Sequence, residues 1–376
     1  MRKTDIFAIR FEKVIPKYYQ IERHIKYLIS SGRLKPGDKL PPEEIIAEKL
    51  GIHRWTVNKA LNHLVNEGLL YRNKSQGTYI TSYKAENTKT IAVILYHIDN
   101  PFYSRIVKSI EEEASKKGYH LILCNSLGDE EKEVEYVVRL TKQRKVDGIL
   151  ICPRNLGLTS PVFDILNNVN LPFVVFPQVD KKKARGLNYV ITDDKKGSYI
   201  AVRHLIKKGH REIGFVAPAE WDWKKAIFIL DRWEGYRQAM EEEGIEVNDR
   251  FIIGTEGVEM EDGLKVAMEK IEAIKNFTAL FCVGDLLAIG ILKGLERKGV
   301  KIPDEISIIG FDNIEMAGHF DICLTTVEQP TYLIGKKATE ILINQIEGKR
   351  KSPEHVILQP KLIIRSSVEK RVLEKV

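Results

Sequence analysis

The chain of 376 residues has no run of 18 or more apolar residues, so it offers no candidate membrane-spanning helix. Its opening stretch, MRKTDIFAIRFEKVIPKYY, scatters charges among the apolar positions and lacks the continuous apolar core of a secretory signal. The expected setting is therefore the cytoplasm. Cysteine is scarce, with four in all, and no two stand in a Cys-x-x-Cys pair, which excludes the usual zinc framework. Cys124, Cys152 and Cys282 lie in the apolar runs LILCN, ILICP and LFCVG, the pattern of buried, reduced thiols; Cys323 is the fourth. Catalytic signatures are missing as well. There is no G-x-x-x-x-G-K-[ST] phosphate loop, no G-x-G-x-x-G after a strand, no H-E-x-x-H and no G-x-S-x-G elbow. The nine histidines are dispersed. The expectation is a protein that is not an enzyme and needs no cofactor or metal.

What is present is unevenly distributed. Residues 1–84 carry 16 Lys+Arg against 8 Asp+Glu, whereas the other 292 residues carry 43 against 44. The entire basic excess sits in the first quarter of the chain. Such asymmetry points to a small module that meets a polyanion, joined to a larger, nearly neutral one.

In the basic quarter, Ile21, Ile25, Leu28 and Ile29 follow helical spacing, and a Pro-Gly turn comes after them. A second short helix is predicted from about Pro42 to Leu50, stopped by Gly51. A third starts at about His53 or Arg54 and ends before Gly68. At about 100° per residue, Val57, Ala60, Leu61, Leu64 and Val65 share one face of it. Trp55, Lys59 and Asn62 point the opposite way, with Thr56 and Asn58 on the flanks. Two helices joined by a tight glycine turn form a helix-turn-helix, and this outer face suits a major groove. LLYRNKSQGTYIT then reads as a hairpin, a wing in which Arg72 and Lys74 can meet phosphate and Gly77 permits close backbone approach.

Residues 16–81 resemble the GntR-type winged helix. The carrying marks are PKYYQI, the turn from Gly32 to Pro41, the L-G-x-x-R-x-T-V block from Leu50 to Val57, and the E-G-L-L-Y-R…G-T wing. The resemblance implies DNA contacts from the region of Glu43 and from Arg54, Thr56 and Gly77. His53, Trp55, Asn58, Lys59, Arg72, Lys74 and Gln76 complete the expected interface. Trp55 either meets DNA or packs on a neighbour; His53 either meets DNA or caps its helix. Pro42 stands where Ser is common in the family, and Asn58 where Arg is common.

SYKAENTK, residues 82–89, is polar and aperiodic and reads as a linker. Beyond it, short apolar runs alternate with amphipathic helices: IAVILY, HLILCN, DGILICP, PFVVFPQV, YVITD, EIGFVAP, ALFCVG and ISIIGFD. This is a β-α-β series with buried parallel strands.

The stretches NPFYSRIVKSIEEEASKKGYHLIL, KVDGILICP, AVRHLIKKGHREIGFV, DRWEGYRQAMEEEGI, CVGDLLAIGILKGLERKGVKIPDEISIIGFDN and LTTVEQP resemble the LacI/GalR-type sugar-binding domain, which shares the periplasmic-binding-protein fold. The fold class is thus multidomain: a small α+β winged helix (1–81), a linker (82–89) and a two-lobed α/β domain (90–376). Lobe one is expected at about 90–187 plus 330–350, and lobe two at about 188–329 plus 351–366. A ligand would lie in the cleft, beyond the carboxyl ends of the strands. By resemblance, Arg232 in DRWEGY binds sugar, and Asp285 and Asp312 are acidic ligand positions. His97, Phe102, Tyr103 and Gln329 are further candidates, and Trp221 and Trp223 could border the pocket. Asp285 alternatively caps the following helix, and Asp312 alternatively bonds at the hinge. Cys323 stands where Pro is common.

Fusion of these two types resembles the arrangement of arabinose-responsive repressors. It implies a repressor that binds a near-palindromic operator as a homodimer and answers to a pentose, first L-arabinose, with another sugar or a purine as the alternative.

Overall fold

The computed structural model describes residues 5–9, 11–12, 15–30, 33–73, 76–81, 88–142, 145–153, 160–219, 226–319, 321–349 and 352–371. Lys74, Trp221, Trp223 and most of the linker lie outside these residues. No described helix is long and apolar enough to cross a membrane.

The first domain packs α1 (Lys17–Ser30), α2 (Glu43–Leu50) and α3 (Arg54–Asn66) against the hairpin β1 (Leu70–Asn73) and β2 (Gly77–Ile80). Gly51 ends α2 in the left-handed conformation, φ +62°, where glycine has no Cβ penalty, and this turns the chain into α3. Ile21, Ile25, Leu28, Ile46, Val57, Leu61, Leu64 and Ile80 close one small core. The angular reading of α3 holds: its apolar face is buried, with Val65 partly so.

The rest of the chain builds two sheets. The first collects β3 (Thr90–Leu95), β4 (His120–Asn125), β5 (Gly148–Ile151), β6 (Phe173–Val175), β7 (Tyr189–Thr192) and β13 (His355–Leu358). Its order is β13-β7-β6-β5-β3-β4, and every pairing is parallel. Helices α4 (Pro101–Lys116), α5 (Glu130–Lys142), α6 (Pro161–Val169) and α12 (Thr331–Ile346) belong to this lobe. The second sheet has the order β14-β12-β11-β10-β8-β9. Its strands are β8 (Ile213–Pro218), β9 (Ile252–Thr255), β10 (Ala279–Cys282), β11 (Ser307–Asp312), β12 (Thr325–Glu328) and β14 (Lys361–Ile363), the last antiparallel. It is accompanied by α7 (Asp194–Lys207), α8 (Ile227–Glu241), α9 (Met260–Glu269), α10 (Ile271–Ile274) and α11 (Asp285–Arg297). Cys124, Cys152 and Cys282 are buried and free.

Three passages join the lobes, and two fall later than expected. The run YVIT pairs with β6 and β13 and so stays in lobe one, which places the first passage after residue 192 rather than 187. Residues 355–358 also join lobe one, so the third passage lies between Leu358 and Lys361, not near 350. Strand β13 alternates exposed and half-buried positions, and β14 has one exposed and two half-buried positions. Each is marked only by a three-residue apolar run, residues 356–358 and 362–364, too short to stand out beside the longer runs of the inner strands.

The linker enters lobe one through a defined clamp. The buried Asp147 carboxylate accepts the backbone N–H of Thr88 at 3.0 Å, its hydroxyl at 2.9 Å and the N–H of Lys89 at 2.9 Å. These bonds fix the last two linker residues to lobe one.

Candidate functional site

The outer face of α3 is organised by one carboxylate. Glu43, at the start of α2, accepts from Asn58 Nδ2 at 3.1 Å and from Arg72 Nη2 at 2.6 Å. Arg54 approaches Glu43 at 3.6 Å and pairs with Glu44 at 2.9 Å. Asn62 Nδ2 donates to Asn58 Oδ1 at 2.7 Å. The Glu43 side chain is 15% exposed and gathers these donors on one face of the domain. The expected contact region around Glu43 is thus a carboxylate already bonded to three expected DNA-contacting side chains. His53 settles as a cap, its Nδ1 accepting the Trp55 N–H at 3.1 Å. Thr56 donates its backbone N–H to the His53 carbonyl and leaves its hydroxyl side half-exposed. Lys59 Nζ lies 4.0 Å from the Tyr18 ring centroid and 5.3 Å from that of Trp55. Gly77 has φ +113°, a conformation that side chains rarely adopt, and Gln76 is exposed beside it at the tip of the wing.

The second site lies between the lobes, at the carboxyl ends of both sheets. Arg232 reaches it because α8 packs Tyr236 into the lobe-two core, where the hydroxyl donates to the Ile213 carbonyl at 2.6 Å and Trp233 stacks alongside. The guanidinium is then directed into the cleft, 3.6 Å from the Phe311 ring centroid. Nε and Nη2 donate to Asp194 Oδ1 at 3.1 and 2.9 Å, Nη2 is 3.6 Å from Asp312, and Nη1 donates to the Val283 carbonyl. Gln329 Nε2 donates to Asp312 Oδ1 at 2.8 Å. Tyr96, Asn100, Phe102, Tyr103, Gln178 and Phe228 also line the cavity, whereas Asp194 stands behind Arg232, outside the lining.

One cation thus faces two buried carboxylates. Burial raises the Asp194 carboxyl pKa, and pairing with Arg232 only partly offsets this. Burial also pushes Asp312 up to about 6, against the opposing pull of Arg232 and Gln329. At Asp312 and Asn313 the backbone has φ +115° and +51°, so the end of β11 is strained at the cleft wall.

The other expected residues divide. Phe102 and Tyr103 line the cleft from the start of α4, and Tyr103 donates its hydroxyl to that of Tyr96 at 2.7 Å. His97 stands in an adjoining part of the cleft, 3.6 Å from Glu259 of the opposite lobe. Asp285 is a correction. It is fully buried and does not line the cavity; its carboxylate accepts the Ile314 N–H at 2.9 Å and the Thr326 hydroxyl at 2.5 Å. Nor does it cap α11, which has Gly284 at that position and no side-chain cap bond. It braces the β11–β12 layer under the cleft. Asp194 and Gln178 were not anticipated. Both lie just beyond strand ends, the one visible signal, Asp194 after YVITD and Gln178 as the last residue of PFVVFPQ. Gln178 is 7% exposed, and among the described residues nothing pairs with its Oε1 or with His97 Nδ1. Those are atoms a polar ligand can satisfy.

The elevated Asp312 pKa sets a pH dependence. Well below pH 4 its carboxyl is protonated both folded and unfolded. Between about 4 and 6 the folded protein keeps a proton that the unfolded chain has released, so stability falls as pH rises through that window, by an amount of order 3 kcal/mol. Urea unfolding at pH 4, 5, 6 and 7 should show a shallower fall for Asp312→Asn than for the parent. Equal slopes would mean that Asp312 already ionises near its ordinary value.

A basic winged helix joined to a two-lobed cleft with a buried arginine defines a regulator that couples a small ligand to DNA. The gntR family of bacterial regulatory proteins matches residues 17–80, and the periplasmic binding protein-like domain matches residues 202–368. The arabinose metabolism transcriptional repressor of Geobacillus stearothermophilus is 32% identical over 373 residues, covering 95% of this chain and 99% of its own. The HTH-type transcriptional repressor PurR of Vibrio campbellii is 35% identical over 297 residues, 77% of this chain and 84% of its own. The structure of an Enterococcus faecium LacI family transcriptional regulator with bound ribose superposes with a TM-score of 0.66 at 30% identity, over 75% of this chain and all of its own. The chain belongs to the transcriptional repressors that join a GntR-type DNA-binding domain to a LacI/GalR-type, periplasmic-binding-protein-like domain.

Proposed function

We propose that the chain is a cytoplasmic, pentose-responsive repressor that holds its operator as a homodimer and lets go when the sugar, first L-arabinose, fills the cleft. The observation that carries this is the buried Arg232, held between Asp194 and Asp312 and stacked on Phe311. A planar donor fork beside paired carboxylates suits vicinal hydroxyls, and the surrounding aromatic rings suit a sugar's apolar face. The arabinose repressor and the ribose-bound regulator among its relatives support a five-carbon sugar. In this reading the carboxylates bind and perform no catalysis.

The control is differential. Arg105 donates to the Asn313 carbonyl at 2.9 Å, and Lys181 approaches Asp231 at 3.6 Å; like His97 and Glu259, these pairs bridge the lobes. A sugar that bonds to both lobes favours the arrangement in which they meet, and only that preference can shift the equilibrium. The Asp147 clamp passes the shift to the linker and the winged helix.

Thermal-shift measurement against L-arabinose, D-ribose, D-xylose, hexoses and purines tests the assignment, followed by fluorescence anisotropy on a duplex selected in vitro. At 100 times its dissociation constant the effector should stabilise by about 2.7 kcal/mol and release the duplex. A response confined to purines or hexoses would discard the pentose. Silence across the panel would discard the cleft as an effector site.

A further inference from the structure

We propose that Trp55 reads thymine 5-methyl groups in the major groove of the operator. The inference rests on the operator-binding reading above and assigns one side chain a base preference.

In α3, whose residues are all described, Trp55 is the one large hydrophobic side chain left exposed, at 63%. It lies in the first turn, opposite Val57, Ala60, Leu61 and Leu64, which fill the core. The ring is not packed into its own domain, yet neither is it loose. Its backbone N–H is held by His53 Nδ1, and Lys59, one helical turn on, places its ammonium over both the indole and the Tyr18 ring. The flanking readers differ in chemistry. Arg54, Asn58 and Asn62 form a polar set drawn together by Glu43. The indole has a single N–H donor and otherwise only apolar surface.

Base edges in the major groove present donors and acceptors at every pair, and one apolar group, the methyl of thymine. An indole face set against a carbonyl or amino edge would remove that polar edge from water without bonding to it. Set against a methyl, it buries apolar surface on both sides. The position of Trp55 among the polar readers therefore selects a thymine and disfavours cytosine or uracil at the same place.

The test uses the full-length protein. Operators are selected from random duplexes with the parent and with Trp55→Ala. Thymines in the parent's preferred half-site are then replaced one at a time by deoxyuridine, which removes only the methyl. The parent should lose about fourfold in affinity per methyl at one position, the worth of one buried methyl-sized group. Trp55→Ala should bind deoxyuridine and thymine equally there and select no thymine, with unfolding temperature unchanged because the side chain is exposed. The proposal is overturned if the parent ignores deoxyuridine at every thymine. It is also overturned if Trp55→Ala keeps the parent's sensitivity while binding more weakly throughout, which would make Trp55 only a support for Lys59. A parent that selects no sequence at all would overturn the operator reading itself.

Discussion

Arg232→Ala should uncouple the repressor: effector affinity falls roughly 10²–10⁴-fold, while operator affinity stays within a fewfold of the parent. The range follows from losing two charge-assisted hydrogen bonds at about 1.5–3 kcal/mol each. The variant should also be less stable. Its guanidinium side chain is 3% exposed and bonds to Asp194 and to the Val283 carbonyl, so truncation leaves buried acceptors without their donor. Breaking such a pair costs about 3–5 kcal/mol, lessened here because Asp194 and Asp312 take up protons readily. Arg232→Lys keeps the charge and loses the planar fork, so it should recover stability more than effector affinity. Calorimetry with the effector, anisotropy with the operator and circular dichroism on heating separate these effects. If Arg232→Ala binds effector as the parent does, the arginine is a brace and the ligand sits elsewhere.

Arg54→Ala should give the opposite phenotype, loss of operator binding with effector binding intact. Arg54 stands at the first position of α3 and is 63% exposed, tethered to Glu44 and near Glu43. A guanidinium reading a guanine edge contributes about 1–3 kcal/mol, so a dimer using it in both half-sites loses about 2–6 kcal/mol, or 30-fold to more than 10⁴-fold. Stability should hardly change, because exposed ion pairs contribute little. Affinity measured against salt tells the two kinds of contact apart. A base-reading Arg54 leaves the slope nearly unchanged and relaxes selection at one position, whereas a phosphate contact lowers the slope by about one per half-site. Full operator affinity in Arg54→Ala would remove it from the interface.

Much of this architecture was legible in linear order. The winged helix is local: helical spacing, the Pro42 and Gly51 boundaries and the glycine of the wing specify it within about 65 residues. The inner parallel strands were equally plain, since burial on both faces demands continuous apolar runs. Edge strands β13 and β14 were not, because their apolar runs, VIL and LII, are only three residues long and sit between polar neighbours. Missing β13 misplaced the third lobe passage; the first was misplaced because YVIT, though legible as a strand, pairs with β6 and β13 in lobe one, which no local pattern specifies.

For the sites, chemical type could be read from the chain, and partnership could not. That Arg232, Asp312, Phe102 and Tyr103 would face a cleft followed from strand ends and from the family's motifs. That Arg232 would be held by Asp194, 38 residues earlier in the chain, did not. Asp285 looked like a ligand residue by position, and folding buried it under Thr326 and the backbone of Ile314. That Glu43 would be the hub for Asn58, Arg54 and Arg72, drawn from α3 and β1, could not be read either. The local code determines which residues reach a strand end or a helix face, because periodicity and turn chemistry act over a few residues. Which donor meets which acceptor there depends on how separate elements pack, and that is settled by burial across the whole domain.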